Sequence, residues 1–193
     1  MGKYYTIQSR EAYLKAIDKF EFKTSIDLVE KEFKTAYLWL FLHYKKMFGY
    51  DSEDFSLIWF WKDSLPEHYW DEDLYVNNNK PWIQNILDDG NVLIELDLDD
   101  DTVLLTNFIA WHIPLNNMAF LSTDEIGLED YIGKSDLYSS WKRLFDEEWL
   151  VKNEYIDVND NIIQGVKPTV SVNNVTNVFL SYNDLKKHFF IEQ

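Results

Sequence analysis

NVLIELDLDDDTVLL, residues 91–105, places Val92, Ile94, Leu96 and Leu98 on one side of an extended chain and Glu95, Asp97 and Asp99 on the other. Successive side chains of a strand point to opposite faces, so this stretch predicts a strand with one face on a core and the other in water. Residues 103–105 continue the pattern. Further back, SLIWFW at 56–61 sets Leu57, Trp59 and Trp61 against Ile58 and Phe60. Both sides are apolar there, which predicts a central strand covered on both faces. KYYTIQ at 3–8 is a third strand, after which Ser9 is placed to cap a helix carrying Ala12, Tyr13, Ala16, Ile17 and Phe20.

Between the strands at 3–8 and 56–61, apolar residues recur at Ile26, Val29, Phe33, Tyr37, Leu40, Tyr44 and Phe48. Steps of three and four predict one long helix over 24–48 with a buried middle. Residues 62–91 hold Pro66, Pro81, the run Asn77-Asn78-Asn79 and the turn signal Asp89-Gly90, and predict a long irregular loop with a short helix at 83–87. Downstream, Leu137, Trp141, Leu144, Phe145 and Trp149 predict an amphipathic helix over 135–150, and 162–180 predicts two or three strands turning at Asn173-Asn174. Strands at the start, middle and end, with no regular βαβ rhythm, predict a single α+β domain over 1–193. Its central sheet is expected to be mixed, mainly antiparallel, with helices packed on it.

The chain of 193 residues is 46% hydrophobic and 17% aromatic, ample for one core. Its 18 basic and 34 acidic residues leave a formal charge of -16. That charge repels phosphate backbones and anionic membrane surfaces, which argues against direct nucleic-acid binding. It leaves plain solubility, or an acidic surface for a basic protein partner. No cysteine is present, which rules out disulfides, thiolate metal sites and cysteine nucleophiles and fits a reducing cytoplasm. The N-terminus has no apolar signal core, and the longest apolar run, AYLWLFL at 36–42, is far short of the roughly 18 residues of a membrane span. A cytoplasmic protein with no membrane association is expected.

No metal and no cofactor is predicted. Asp97, Asp99 and Asp101 have the spacing of a calcium loop, but Thr102 stands where that loop needs glycine and Phe108 where it needs a bidentate acid. The histidines at 43, 68, 112 and 188 show no ligand-like pairing, and the glycines form no phosphate-cradling motif.

LLTNFIAWHIPLNN, 104–117, is the unusual stretch: Asn107, His112, Asn116 and Asn117 lie among core-like residues. Thr106 or Asn107 is placed to cap a short helix starting at Phe108, and Pro114, which has no amide to offer Ala110, is expected to end it near His112. Polar groups beside aromatics suit a ligand pocket, while caps and a satisfied core histidine are the plainer reading.

YYTIQ near the start, AYLWL at 36–40, SLIWFW, LLTNFIAWHIPLNN, SWKRLF at 140–145 and IIQGV at 162–166 follow in the order and approximate spacing of the bacterial DUF3841 family, which the chain resembles over nearly its whole length. That family tends to read Ser-Asp-Phe where this chain has Thr106-Asn107-Phe108, so a potential carboxylate is missing here. The resemblance implies a shared fold and shared pocket residues but no reaction. By motif position it points to Thr6, Gln8, Asn107, Trp111, His112, Asn116 and Gln164, with Trp59 and Trp61 as packing support.

Three functions compete. The first is a pocket for a small molecule or nucleotide, read by the amides of Gln8, Asn107, Asn116 and Gln164, with His112 the one candidate for proton transfer. A catalytic version is a transferase: YYTIQSREAYLKAI is loosely similar to the start of ADP-ribosyltransferase-like folds. Those usually carry a His or Arg on the first strand and a late catalytic Glu, where this chain has Thr6, Gln8 and Gln164, so binding without turnover is expected. The third is an interaction or inhibitor protein, of the kind a mobile element encodes, occupying a basic surface of a nucleic-acid-processing partner. Glu67, Trp70, Asp71, Glu72, Asp73 and Tyr75 in the long loop would form its contact surface, beside His68 and Tyr69.

Overall fold

The computed structural model describes residues 1–76, 78–123, 133–158 and 162–190. The fold is α+β. In chain order its elements are β1 (Gly2–Ser9), α1 (Arg10–Lys19), β2 (Glu21–Phe22), α2 (Lys34–Phe48), β3 (Ile58–Lys62), α3 (Trp82–Asp88) and β4 (Asn91–Leu98). There follow β5 (Leu104–Asn107), α4 (Phe108–Leu115), α5 (Lys134–Ser140), α6 (Glu147–Lys152), β6 (Ile163–Lys167), β7 (Val170–Ser171), β8 (Val175–Phe179) and α7 (Tyr182–Phe190). The backbone gathers into two compact units: unit 1 is Met1–Lys23, Ile58–Val103 and Thr169–Gln193, and unit 2 is Thr24–Leu57 and Leu104–Pro168.

In unit 1 the strands run in the order β3-β1-β4-β8, each antiparallel to its neighbour. β1 and β4 pair over eight residues, from Gly2 opposite Leu98 to Ser9 opposite Asn91. The alternation that predicts β4 holds, but its acidic face is wet only towards its end: Asp99 is exposed and Asp97 half-buried, whereas Glu95 is covered. Leu93 and Glu95 are buried together with Tyr5 and Phe179, and Ile83 and Leu87 of α3 and Leu185 of α7 close a core on that side. α7 is absent from the sequence prediction. Its start is nonetheless written as Ser181-x-x-Asp184: the Ser181 hydroxyl bonds the Asp184 carboxylate at 2.7 Å and accepts from the Asp184 amide at 3.3 Å. α1 is capped as expected, Ser9 Oγ accepting from the Ala12 amide at 3.1 Å.

In unit 2, β5 and β6 pair antiparallel, from Leu104 opposite Val166 to Asn107 opposite Ile163. β5 is a strand of its own, because a 3-10 turn at Asp100–Thr102, capped by Asp99, interrupts the run from β4. The expected helix over 24–48 is shorter. Thr24 is engaged elsewhere, its amide donating to Ser56 Oγ at 2.9 Å and its hydroxyl accepting from the Leu57 amide at 3.0 Å, and Ser25 caps a separate 3-10 turn. Nor is the middle of α2 buried all round: Ala36, Leu40, Phe41 and Tyr44 are inside, whereas Leu38 and Leu42 are exposed. The amphipathic helix expected over 135–150 is three pieces, α5, a 3-10 segment Trp141–Phe145 and α6. Asp146 makes the break, its carboxylate accepting from the Trp149 amide at 3.0 Å to start a new helix. Fully buried Trp141 anchors the middle piece, its indole N–H donating to the Met118 carbonyl at 2.8 Å.

Candidate functional site

The polar residues of LLTNFIAWHIPLNN have separate structural tasks in unit 2. Asn107 is buried and its Oδ1 accepts from the Ala110 amide at 3.0 Å, capping α4. His112 is exposed, its Nδ1 3.0 Å from the Phe108 carbonyl and its ring edge-on to Phe108. Exposed Asn116 donates from Nδ2 to the His112 carbonyl at 2.7 Å. Trp111 is buried and meets Tyr37 edge to face.

Pro114 does not stop the helix near His112, since α4 runs to Leu115. The lost bond to Ala110 falls in the last turn, where carbonyls are already being handed to caps. The Asn117 amide bonds Pro114 and the Met118 amide bonds Ile113, while Asn117 takes the left-handed conformation at φ 54°, closing a Schellman motif.

One pair in unit 2 is different. Thr106 and Gln164 lie directly opposite each other on β5 and β6, so their side chains share a face of the ladder with Leu104 and Val166. They are 3% and 5% exposed. Among the described residues, Thr106 Oγ1 and Gln164 Nε2 meet no hydrogen-bond partner. Interiors rarely leave a hydroxyl and an amide donor in that condition.

Thr6 and Gln8 belong to unit 1. They are two apart on β1 and so on one face, Thr6 buried and Gln8 half-buried. They bond each other, Gln8 Nε2 donating to Thr6 Oγ1 at 2.9 Å.

The long loop of unit 1 divides its candidates. Glu67, Asp71, Glu72 and Tyr75 are exposed. Trp70 is half-buried against Phe189 and Phe190 of α7. Asp73 is buried, which removes it from the expected contact surface. Its Oδ1 accepts from the Tyr75 and Val76 amides at 2.9 and 3.3 Å, and its Oδ2 from Asn85 Nδ2 at 3.0 Å. Asn77, first of the three asparagines, lies outside the described residues.

Glu95 forms a cluster that the sequence did not single out. Its side chain is buried at the centre of β4. Oε1 accepts from Thr176 Oγ1 at 2.9 Å and Asn177 Nδ2 at 3.1 Å, and Oε2 from the Tyr5 hydroxyl at 3.1 Å, with His188 Nε2 at 3.0 Å. Lys3 Nζ is 3.4 Å away. Burial pushes the carboxyl's pKa up, but the bonds from Thr176 and Asn177, the Lys3 ammonium and the Tyr5 hydroxyl outweigh it and hold the group below the ordinary carboxylate value. Burial, and then the neighbouring carboxylate, push the Tyr5 hydroxyl well above its usual pKa. With both oxygens doubly engaged, Glu95 ties β1, β8 and α7 to β4 and has no lone pair left for a substrate. Asp100 has a lesser role of the same kind, accepting from the Tyr4 hydroxyl at 2.6 Å with Lys62 at 3.4 Å.

Among the described residues no group of three or more His, Asp or Glu is placed to hold a metal ion, and no helix is long and apolar enough to cross a membrane. No family model, no curated protein and no solved structure matches the chain.

Proposed function

We propose that this DUF3841-like protein binds a small polar molecule through the β5–β6 ladder of unit 2, with Gln164 and Thr106 as the recognising groups. The observation that carries the reading is their shared condition: a buried amide donor and a buried hydroxyl, face to face across the ladder and, among the described residues, without a protein partner. A buried polar group in that state costs about 1–3 kcal/mol, which a ligand supplying the matching atom recovers.

Gln164 Nε2 asks for an acceptor, and Thr106 Oγ1 can donate or accept. The fitting group is an uncharged edge that carries both functions side by side, as a nucleobase or an amide does. Neither residue transfers protons near neutral pH, so the reading is of binding and not turnover. His112, exposed beyond Phe108, stays a candidate contact through Nε2.

Isothermal titration of the full chain with mononucleotides and dinucleotides tests this. Saturable heat with at least one of them, weakened tenfold or more by Gln164→Leu, is the expected outcome. Silence across the set, or a Gln164→Leu protein that binds as well as the wild type, overturns it.

A further inference from the structure

Residues 74–76 of unit 1, Leu74, Tyr75 and Val76, are 88%, 95% and 54% exposed. Three apolar side chains in succession held out into water contribute nothing to the core. A segment free to relax would turn some of them inward, because apolar surface is driven from water. This one is held outward by its base. Glu72 and Pro81 form an antiparallel bridge, the Asp73 amide donates to the Lys80 carbonyl at 2.8 Å, and the Trp82 amide to the Asp71 carbonyl at 2.9 Å.

Beneath the tip lies a polar knot. Asn78 Nδ2 donates to Asn85 Oδ1 at 2.7 Å, Asn85 Nδ2 donates to buried Asp73, and Asp73 holds the amides of Tyr75 and Val76. The knot fixes the backbone of the tip while leaving its side chains unused. A preorganised apolar tip of this kind is suited to binding, because little conformational freedom remains to be lost when it docks.

The surroundings state the chemistry of the partner. Glu67, Asp71 and Glu72, which precede the tip in sequence, are exposed. The local cation Lys80 is already paired with Asp88 at 2.7 Å. The acids repel phosphate and anionic lipid, and a chain of charge -16 repels its own copies. They complement a protein surface rimmed with lysine and arginine around an apolar pocket.

We infer that the Leu74-Tyr75-Val76 tip is a protein-docking anchor, Tyr75 and Leu74 entering an apolar pocket of a basic partner while Glu67, Asp71 and Glu72 meet its basic rim. This does not depend on ligand binding in unit 2.

The test uses the full chain with the photo-cross-linker p-benzoylphenylalanine at position 75, irradiated in extract of its native cells, with the same probe at Leu42 as the control site. The protein captured at position 75 alone is then purified and titrated. Support requires that it be basic and that its affinity fall tenfold or more with Tyr75→Ser and with Leu74→Ser. Affinity must also fall steeply between low and high salt while Leu42→Ser changes nothing. Position 75 is exposed, so these variants keep the wild-type melting temperature. The inference is overturned by no capture above the control site, by capture of a second copy of the chain only, or by binding indifferent to salt or to the tip variants. Binding to phosphatidylcholine vesicles without any protein capture overturns it equally.

Discussion

His188 Nε2 lies 3.0 Å from Glu95 Oε2, so the last turn of α7 is tied to the middle of β4 across 93 positions of sequence. The same carboxylate holds Tyr5 of β1 and Thr176 and Asn177 of β8. Three elements therefore depend on one buried anion. Glu95→Ala takes the acceptor from the buried Tyr5 hydroxyl and from the Thr176, Asn177 and His188 donors, which water partly reaches, and is expected to destabilise the fold by about 3–5 kcal/mol through the loss of several bonds to one charged group. Glu95→Gln, which keeps the shape but turns one acceptor into a donor, should cost less, about 2–4 kcal/mol. Urea unfolding followed by tryptophan fluorescence measures both.

Acid should erase the difference between wild type and Glu95→Gln. The folded-state pKa of Glu95 is depressed. Its ionisation therefore stabilises the fold above the unfolded value of about 4.3, and the contribution is lost as pH falls through the lower folded value. The stability gap between the two proteins should be flat from neutral pH to about 5 and narrow below it. A gap independent of pH would show that Glu95 is not ionised when folded.

Alkali should act first through buried tyrosines. Burial pushes the Tyr44 hydroxyl of α2 up to about 12, with Tyr50 a smaller contributor. A raised folded pKa gives stability that is whole below the unfolded value near 10 and lost as pH climbs towards 12. Tyrosinate absorbance and unfolding should rise together over that window, and Tyr44→Phe should move the alkaline transition upward.

The Thr106–Gln164 pair should burden the ligand-free protein. Thr106→Val with Gln164→Leu exchanges two unpaired polar groups for apolar ones of similar size. Thermal unfolding should show a gain of about 1–2 kcal/mol where most core changes show a loss. The same double variant should lose whatever ligand the wild type binds, a trade of stability for function.

Asp73→Ala should loosen the loop and leave the rest of unit 1 intact. It frees the Tyr75 and Val76 amides and Asn85 Nδ2. The expected cost is about 1–3 kcal/mol, with faster cleavage by chymotrypsin at Tyr75 under native conditions. Unchanged proteolysis would show that the Asp73 knot does not hold the tip.

The elements that came through from sequence are those whose signal is local. Ser9 before an apolar-periodic stretch gave α1, the alternation of residues 91–98 gave β4, and the β-branched residues after 162 gave β6 to β8. What was hidden is decided by distant partners. Nothing in residues 24–33 reveals that Thr24 bonds Ser56 and Leu57, and nothing around Glu95 reveals that a helix nearly a hundred residues on will cover it. Asp146 and Ser181-x-x-Asp184 are capping signals legible in the sequence, the first set inside a stretch whose apolar spacing is helical throughout. In the candidate site, the polar residues of 104–117 do not act as a set. Asn107, His112 and Asn116 serve the ends and carbonyls of α4, and of the predicted set Gln164 has a buried atom that meets no partner among the described residues.

Unit 1 is stitched from three separate stretches, and the third supplies β8 and α7. A ribosome therefore delivers β1, β3 and β4 well before Thr176, Asn177 and His188 exist to receive the carboxylate at position 95. Until then that acid has only the Tyr5 hydroxyl and the Lys3 ammonium of β1 to draw it from water, and the nascent strands carry an under-satisfied charge where their core will be. Assembly of this half of the molecule waits on its latest-made residues, and a nascent chain stalled before residue 175 should recruit chaperones.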